Sequence, residues 1–422
     1  MPTIRSSRRN GALRNSLVFS AWLAAPCVIG AAEPLLVEVR EMAGIARFGY
    51  PITGQFNGPD DPKTPFRLLH DGRTIAAQFS PLGKEGQASL WEVDFNVDLG
   101  PFEERKLSIE IVAAAAEPPT PQALTVAQDA GKLRILRPGL EFALPENPFG
   151  LLQAVKSPRE DYLLPDSPGL FVRDREGKTL RFAPSGTPAD AETRILKAGP
   201  LCAAFRFEGA EEASSGESAR LKVRLDFPRS KSWVRVECEV EDGKRQIAVL
   251  GADFHLRLAP TKARPVIVDF GAPSSVYTAL GPAQVAVFRA SPRARAGGAE
   301  KRGEQAAPWE VTRGVEGKMA PYVVGLADDA RPVEGWAHVM DEQVCTAVAV
   351  DRFGQEAVDR IEISADGRLR LWREFDEGGL AKPNQRKTFI FWLHFVPSPP
   401  QIGAVTSPQS MQSPPRVRIR SR

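Results

Sequence analysis

The sequence predicts an all-β protein, and three observations carry that prediction. Proline and glycine number 37 and 35 among 422 residues, a supply of turn formers that suits many short strands better than long helices. Apolar and polar residues alternate with period two in one segment after another, as they do when successive side chains point to opposite faces of a strand. Asp71-Gly72 and Asp366-Gly367 fall between such segments, where tight hairpins need them. The net charge of +3 implies no general affinity for nucleic acid.

Residues 1–32 read as an export signal. Arg5, Arg8, Arg9 and Arg14 form a basic head, and Ser16 to Gly30 is apolar but short for a bilayer span. Gly30-Ala31-Ala32 supplies the small residues that a signal peptidase accepts, and Ser7-Arg8-Arg9 resembles the start of a twin-arginine signal. A bacterial periplasmic or secreted protein is expected. Cys202, Cys238 and Cys345, odd in number and widely spaced, suit neither a disulfide framework nor a zinc site.

Residues 33–112 form a first β domain. It opens with Leu35 to Val39, turns at His70-Asp71-Gly72-Arg73, and continues through Ala88 to Val97 and Lys106 to Ala113. Residues 113–122 read as a linker, because prolines and small residues cannot sustain a strand ladder. Residues 123–395 carry a larger second domain. Its hairpins turn at Arg175-Glu176-Gly177 and Ala365-Asp366-Gly367. Residues 291–308 lack large aliphatic side chains and read as a surface loop. Thr388 to Phe395 is apolar on both faces, which marks a central strand. Residues 396–422, rich in Pro, Ser and Gln and arginine-studded at the end, read as a disordered basic tail.

The stretch from Ala219 to Leu258 reads as three consecutive strands of one sheet. Leu221 to Phe227, Val234 to Val240 and Phe254 to Leu258 each supply a dry face at alternate positions. The wet faces carry Trp233 and Arg235, then Asp253, His255 and Arg257.

The phrases Gly49-Tyr50-Pro51-Ile52, His70-Asp71-Gly72-Arg73 and Ser89-Leu90-Trp91-Glu92-Val93-Asp94-Phe95 come in a recognisable order. With Gly335-Trp336, Val348-Ala349-Val350-Asp351-Arg352-Phe353 and Asp366-Gly367-Arg368-Leu369, they resemble the exo-rhamnogalacturonan lyase-like family across residues 35–395. The resemblance implies a small RIFT-type β-barrel followed by a large antiparallel β super-sandwich. It further implies a pectin-directed scaffold whose (α/α) helical domain would come from a separate partner chain. No catalytic residue is carried over, since Gly354, Val358 and Phe389 replace residues the family pattern leads one to expect.

Asp253, His255 and Arg257 are the candidates for catalysis. At spacings i, i+2 and i+4 they share a strand face, where a carboxylate can orient an imidazole and an arginine can clamp a uronate carboxylate. β-Elimination from a uronic acid needs such parts. A solvated face with cross-strand ion pairs shows the same alternation. For carbohydrate binding the candidates are Arg368, Arg370 and Trp372, with Trp233 and Arg235. An indole stacks on a sugar ring and arginine bonds acidic sugars in a bidentate fork, although a tryptophan over a domain interface would read alike. His255, Arg257, Arg370 and Trp372 are expected to line one concave surface. No phosphate loop, HExxH, GxSxG or Cys/His spacing is present, so neither cofactor nor metal is expected.

These readings describe an exported monomer that binds acidic polysaccharide or oligosaccharide, or serves as a lyase scaffold. The alternatives are an active polysaccharide lyase or hydrolase, and a cell-surface structural protein with no enzymatic role.

Overall fold

The structure, a computed structural model, describes residues 33–85, 88–113, 123–129, 132–184, 194–211, 219–241, 247–261, 263–292, 307–326, 333–375, 386–397 and 408–421. The expected export signal, nearly all of the expected linker and most of the 291–308 loop lie outside the described residues. The described chain is built almost wholly of antiparallel strands, as the alternation predicts.

Two small sheets enclose the N-terminal core. One orders Arg47–Gly58, Ala88–Leu99 and Ala77–Glu85. The other runs Arg416–Ser421, Leu35–Arg40, Glu104–Ile111, Phe66–His70 and Arg73–Ile75. Alternate residues such as Val37, Val39, Val93, Phe95, Leu107 and Ile109 are buried in the core they share. The turn between Phe66–His70 and Arg73–Ile75 holds Asp71 and Gly72 at φ of 50° and 74°, a geometry Asp-Gly tolerates and most pairs do not.

The second domain packs a ten-stranded sheet against an eight-stranded one. Ring pairs bridge the layers: Phe254 lies 6.4 Å from Phe391, and Phe288 lies 5.4 Å from Phe270. The strand Arg386–Pro397, which contains the doubly apolar run, is central, flanked by Trp233–Glu241 and Val344–Val350. Cys202, Cys238 and Cys345 are free thiols buried in the protein. A four-stranded sheet from Thr125 to Lys156 packs on the same core through Phe142, 5.1 Å from Phe227.

Two expectations are corrected here. The stretch 219–258 does not make one sheet. Arg220–Pro228 and Trp233–Glu241 pair within the ten-stranded sheet, whereas Ile247–His255 pairs with Arg368–Glu374 in the eight-stranded one. Alternation dictates which side of a strand is dry, and both layers turn their dry sides toward each other. The wet sides therefore face opposite ways.

Within the expected tail, residues 408–421 are ordered, and residues 398–407 lie outside the described residues. Pro408–Gln412 is a short helix, and Arg416–Ser421 pairs with Leu35–Arg40 from Arg40↔Arg416 to Leu35↔Ser421. Its arginines alternate with Val417 and Ile419, which pack on the N-terminal core, so the segment is an amphipathic strand. Buried Arg47 donates to the carbonyls of Ser410 at 2.7 Å and Ser413 at 2.5 Å, and Tyr50 donates to Ser410 at 2.8 Å. Gln412 Nε2 donates to the Val350 carbonyl of the sandwich at 2.7 Å, so the segment ties the two domains together.

Candidate functional site

The outer face of the eight-stranded sheet gathers five of the candidate residues. Cross-strand register sets His255 opposite Arg368, Asp253 opposite Arg370 and Gly251 opposite Trp372. Asp253 is only 3% exposed and is covered by arginines. Arg368 donates to it from Nε at 3.2 Å and from a terminal nitrogen at 2.7 Å. Arg370 Nε stands 3.4 Å away, an ion contact without hydrogen-bond geometry. Asp253 is thus a base plate for two arginines. His255 instead meets Asp166, with Nδ1 3.3 Å from its carboxylate.

Trp372 lies at the centre of this face. Its Nε1 donates to Glu374 at 2.9 Å, and Arg360 and Arg370 stand 5.7 and 6.0 Å from its ring centroid. Phe171 extends the layer, with Arg173 and Arg370 each 5.3 Å from its ring. Glycine at 251 is a steric requirement: a Cβ there would come 2.5 Å from the Phe171 ring and 2.6 Å from Trp372 Cβ. Burial pushes the Glu362 carboxyl up, and Arg370 and Arg368 oppose it.

The expected concave wall does not include Arg257. That residue lies past the end of its strand and lines a separate cleft beside Ser157, Glu160 and Asp161. Trp233 and Arg235 are on the far side of the sandwich, because their strand belongs to the other layer. Trp233 is 3% exposed and packs with Tyr50 at a ring distance of 5.7 Å, which makes it a domain-interface residue. His394 is buried nearby, and burial with neighbouring His338, Arg137 and Lys231 lowers its pKa to about 3. It is neutral, as an interface histidine should be.

Arg235 reaches a second site, a cleft of about 350 Å³ between the N-terminal domain and the ten-stranded sheet. Its guanidinium lies 5.9 Å from the Trp392 ring centroid and contacts Asp226 at 3.3 Å and Glu237 at 2.8 Å. At the back, Lys197 bridges the two domains, 2.5 Å from Glu92 and 2.7 Å from Asp94. Arg224 adds a contact to Glu92 at 3.2 Å and to Asp226 at 2.8 Å. Burial raises the pKa of both Glu92 and Asp94. At Glu92 the two cations outweigh it and hold the carboxyl low, while at Asp94 burial prevails. This network escaped the sequence reading. Glu92 and Asp94 do alternate with Trp91, Val93 and Phe95, but nothing local names partners more than a hundred residues away.

No family model and no curated protein matches the sequence. Among solved structures, a glycosyl hydrolase family 38 protein from Enterococcus faecalis aligns over 92% of this chain and 47% of its own, at 12% identity and a TM-score of 0.53. An α-mannosidase from Enterococcus faecalis V583 aligns over 92% of this chain and 46% of its own, at 10% identity and a TM-score of 0.53. This chain therefore spans about half the length of those structures. A galactose mutarotase-like protein from Lactobacillus casei ATCC 334 reaches a TM-score of only 0.33 over 64% of this chain, at 11% identity. The two Enterococcus faecalis likenesses overturn the resemblance to the exo-rhamnogalacturonan lyase-like family. The short phrases that carried it fall within strands such as Arg47–Gly58 and Ala88–Leu99 or at Asp-Gly hairpins, local features that unrelated β proteins share. The chain is similar in fold to about half of each of these two structures.

Proposed function

We propose that the protein is an exported carbohydrate-binding protein that holds an acidic glycan along the outer face of the eight-stranded sheet. One observation carries the reading: the Trp372 indole lies between Arg360 and Arg370, at 5.7 and 6.0 Å, on a half-exposed sheet face. The guanidinium groups offer forked donors for a sugar carboxylate, and the half-exposed indole beside them offers an apolar neighbour for its C–H groups.

Two further points bear on a carbohydrate-binding reading. Asp253 is committed to two arginines, so it does not stand ready as a base. The two structures that share the fold are a family 38 glycosyl hydrolase and an α-mannosidase, both sugar-acting by name. Export rests on the pattern of residues 1–32.

The test is affinity electrophoresis of the purified protein through gels containing an oligouronate or a neutral glucan. Retardation by the oligouronate is expected, weakening as salt rises. Trp372→Ala should lower the affinity about tenfold. Equal migration in all gels at low salt would sink the proposal.

A further inference from the structure

We propose that the cleft between the N-terminal domain and the ten-stranded sheet is a second, separate binding site, built for a single neutral pyranose. Its volume of about 350 Å³ is that of a small-molecule site, far below what a polysaccharide groove requires. Each wall mixes apolar and polar groups. Tyr50, Trp392 and Met411 supply apolar contacts, while Thr53 and Asn96 from one domain and Glu237 from the other supply polar groups. A pyranose has the matching anatomy, with a C–H face for an indole and a rim of hydroxyl groups for carboxylates and amides.

Charge selects within the sugars. Glu92, Asp94, Asp226 and Glu237 line the site with the cations Arg224 and Arg235, and buried Lys197 stands behind Glu92 and Asp94. Four carboxylates outnumber those three cations, so the site carries net negative charge and repels an anionic sugar. Hydroxyl groups carry no such penalty, because they can donate to Glu237 and accept from Arg235. The back of the network is rigid, with Lys197 and Glu92 each 1% exposed. Arg235 and Glu237 at the mouth keep 29% and 38% exposure, so the groups that would touch the ligand are reachable and already oriented. The C-terminal segment contributes Met411, Pro414 and Val417 and closes the third side.

This site shares no residue with the outer sheet face and does not depend on it. The experiment is a tryptophan-fluorescence titration of full-length Trp372→Ala protein with methyl glycosides of the common neutral hexopyranoses, and with methyl glucuronoside as the anionic control. That background silences the sheet face, leaving Trp233 and Trp392 as reporters of the cleft. A saturable change with at least one neutral glycoside and none with the glucuronoside is expected. Glu237→Ala and, separately, Asn96→Ala should weaken it about tenfold or more, with circular dichroism confirming that each variant is folded. The proposal is overturned if no neutral glycoside gives saturation, if the glucuronoside binds as well, or if both folded variants bind like their parent.

Discussion

Arg373 grips Asp359 from the neighbouring strand inside the sandwich, Nε 2.8 Å from one carboxylate oxygen and a terminal nitrogen 3.0 Å from the other. Both side chains are buried, and the same terminal nitrogen donates to the Asp351 carbonyl at 2.7 Å. Removing one partner strands the other charge away from water. Asp359→Ala should therefore cost about 3–5 kcal/mol in urea denaturation, far more than a surface pair would. A loss under about 1 kcal/mol would mean the guanidinium finds water or another acceptor.

Glu41 gives the fold an acid-sensitive joint. Burial alone would raise its pKa, yet Arg47 and the backbone N–H groups of Ala43, Gly44 and Ile45 bring it down to about 2. A carboxyl depressed in the folded state contributes stability that is complete above its unfolded value near 4.5 and is lost as pH falls toward 2. Thermal melts of Glu41→Gln and the parent should therefore differ most above pH 5 and converge as pH falls toward 2.5. A gap that stays constant across that window would assign the effect to packing alone.

Lys197→Met should leave Glu92 and Asp94 side by side with no ammonium between them. The expected cost is about 3 kcal/mol at neutral pH. It should shrink on acidification, because protonated carboxyls no longer need the cation. Denaturation at pH 4 and pH 7 checks both the size and the sign.

Deleting residues 408–422 should expose the pairing edge of Leu35–Arg40 and strip Arg47 of two carbonyl acceptors. Hydrogen exchange is the measurement. The N-terminal strands should lose protection while Val236, Phe391 and their neighbours in the sandwich keep theirs. Unchanged protection of Leu35–Arg40 would show that the segment is dispensable.

Much of this architecture was legible from alternation alone. Leu221, Val223 and Leu225 point inward as read, and so do Leu369 and Leu371. The parity that makes those leucines dry also turns Arg373 inward, a charged residue that the reading passed over. What parity does not carry is the identity of the layer. Trp233-Arg235 and Arg370-Trp372 look like two copies of one motif, yet they sit on opposite sides of the sandwich. The tail misled for a related reason: prolines and arginines suggested disorder, while Val417 and Ile419 were enough to complete a sheet once Leu35–Arg40 was there to receive them.

Arg47 and Ser410 are 363 residues apart in the chain. At roughly 5–20 residues per second, about 20–70 s of synthesis separates the domain's first strands from its closing one. For that interval the N-terminal sheet has an open, templating edge, and contacts this non-local form late and slowly. The domain that is first in sequence is thus among the last to complete its sheet.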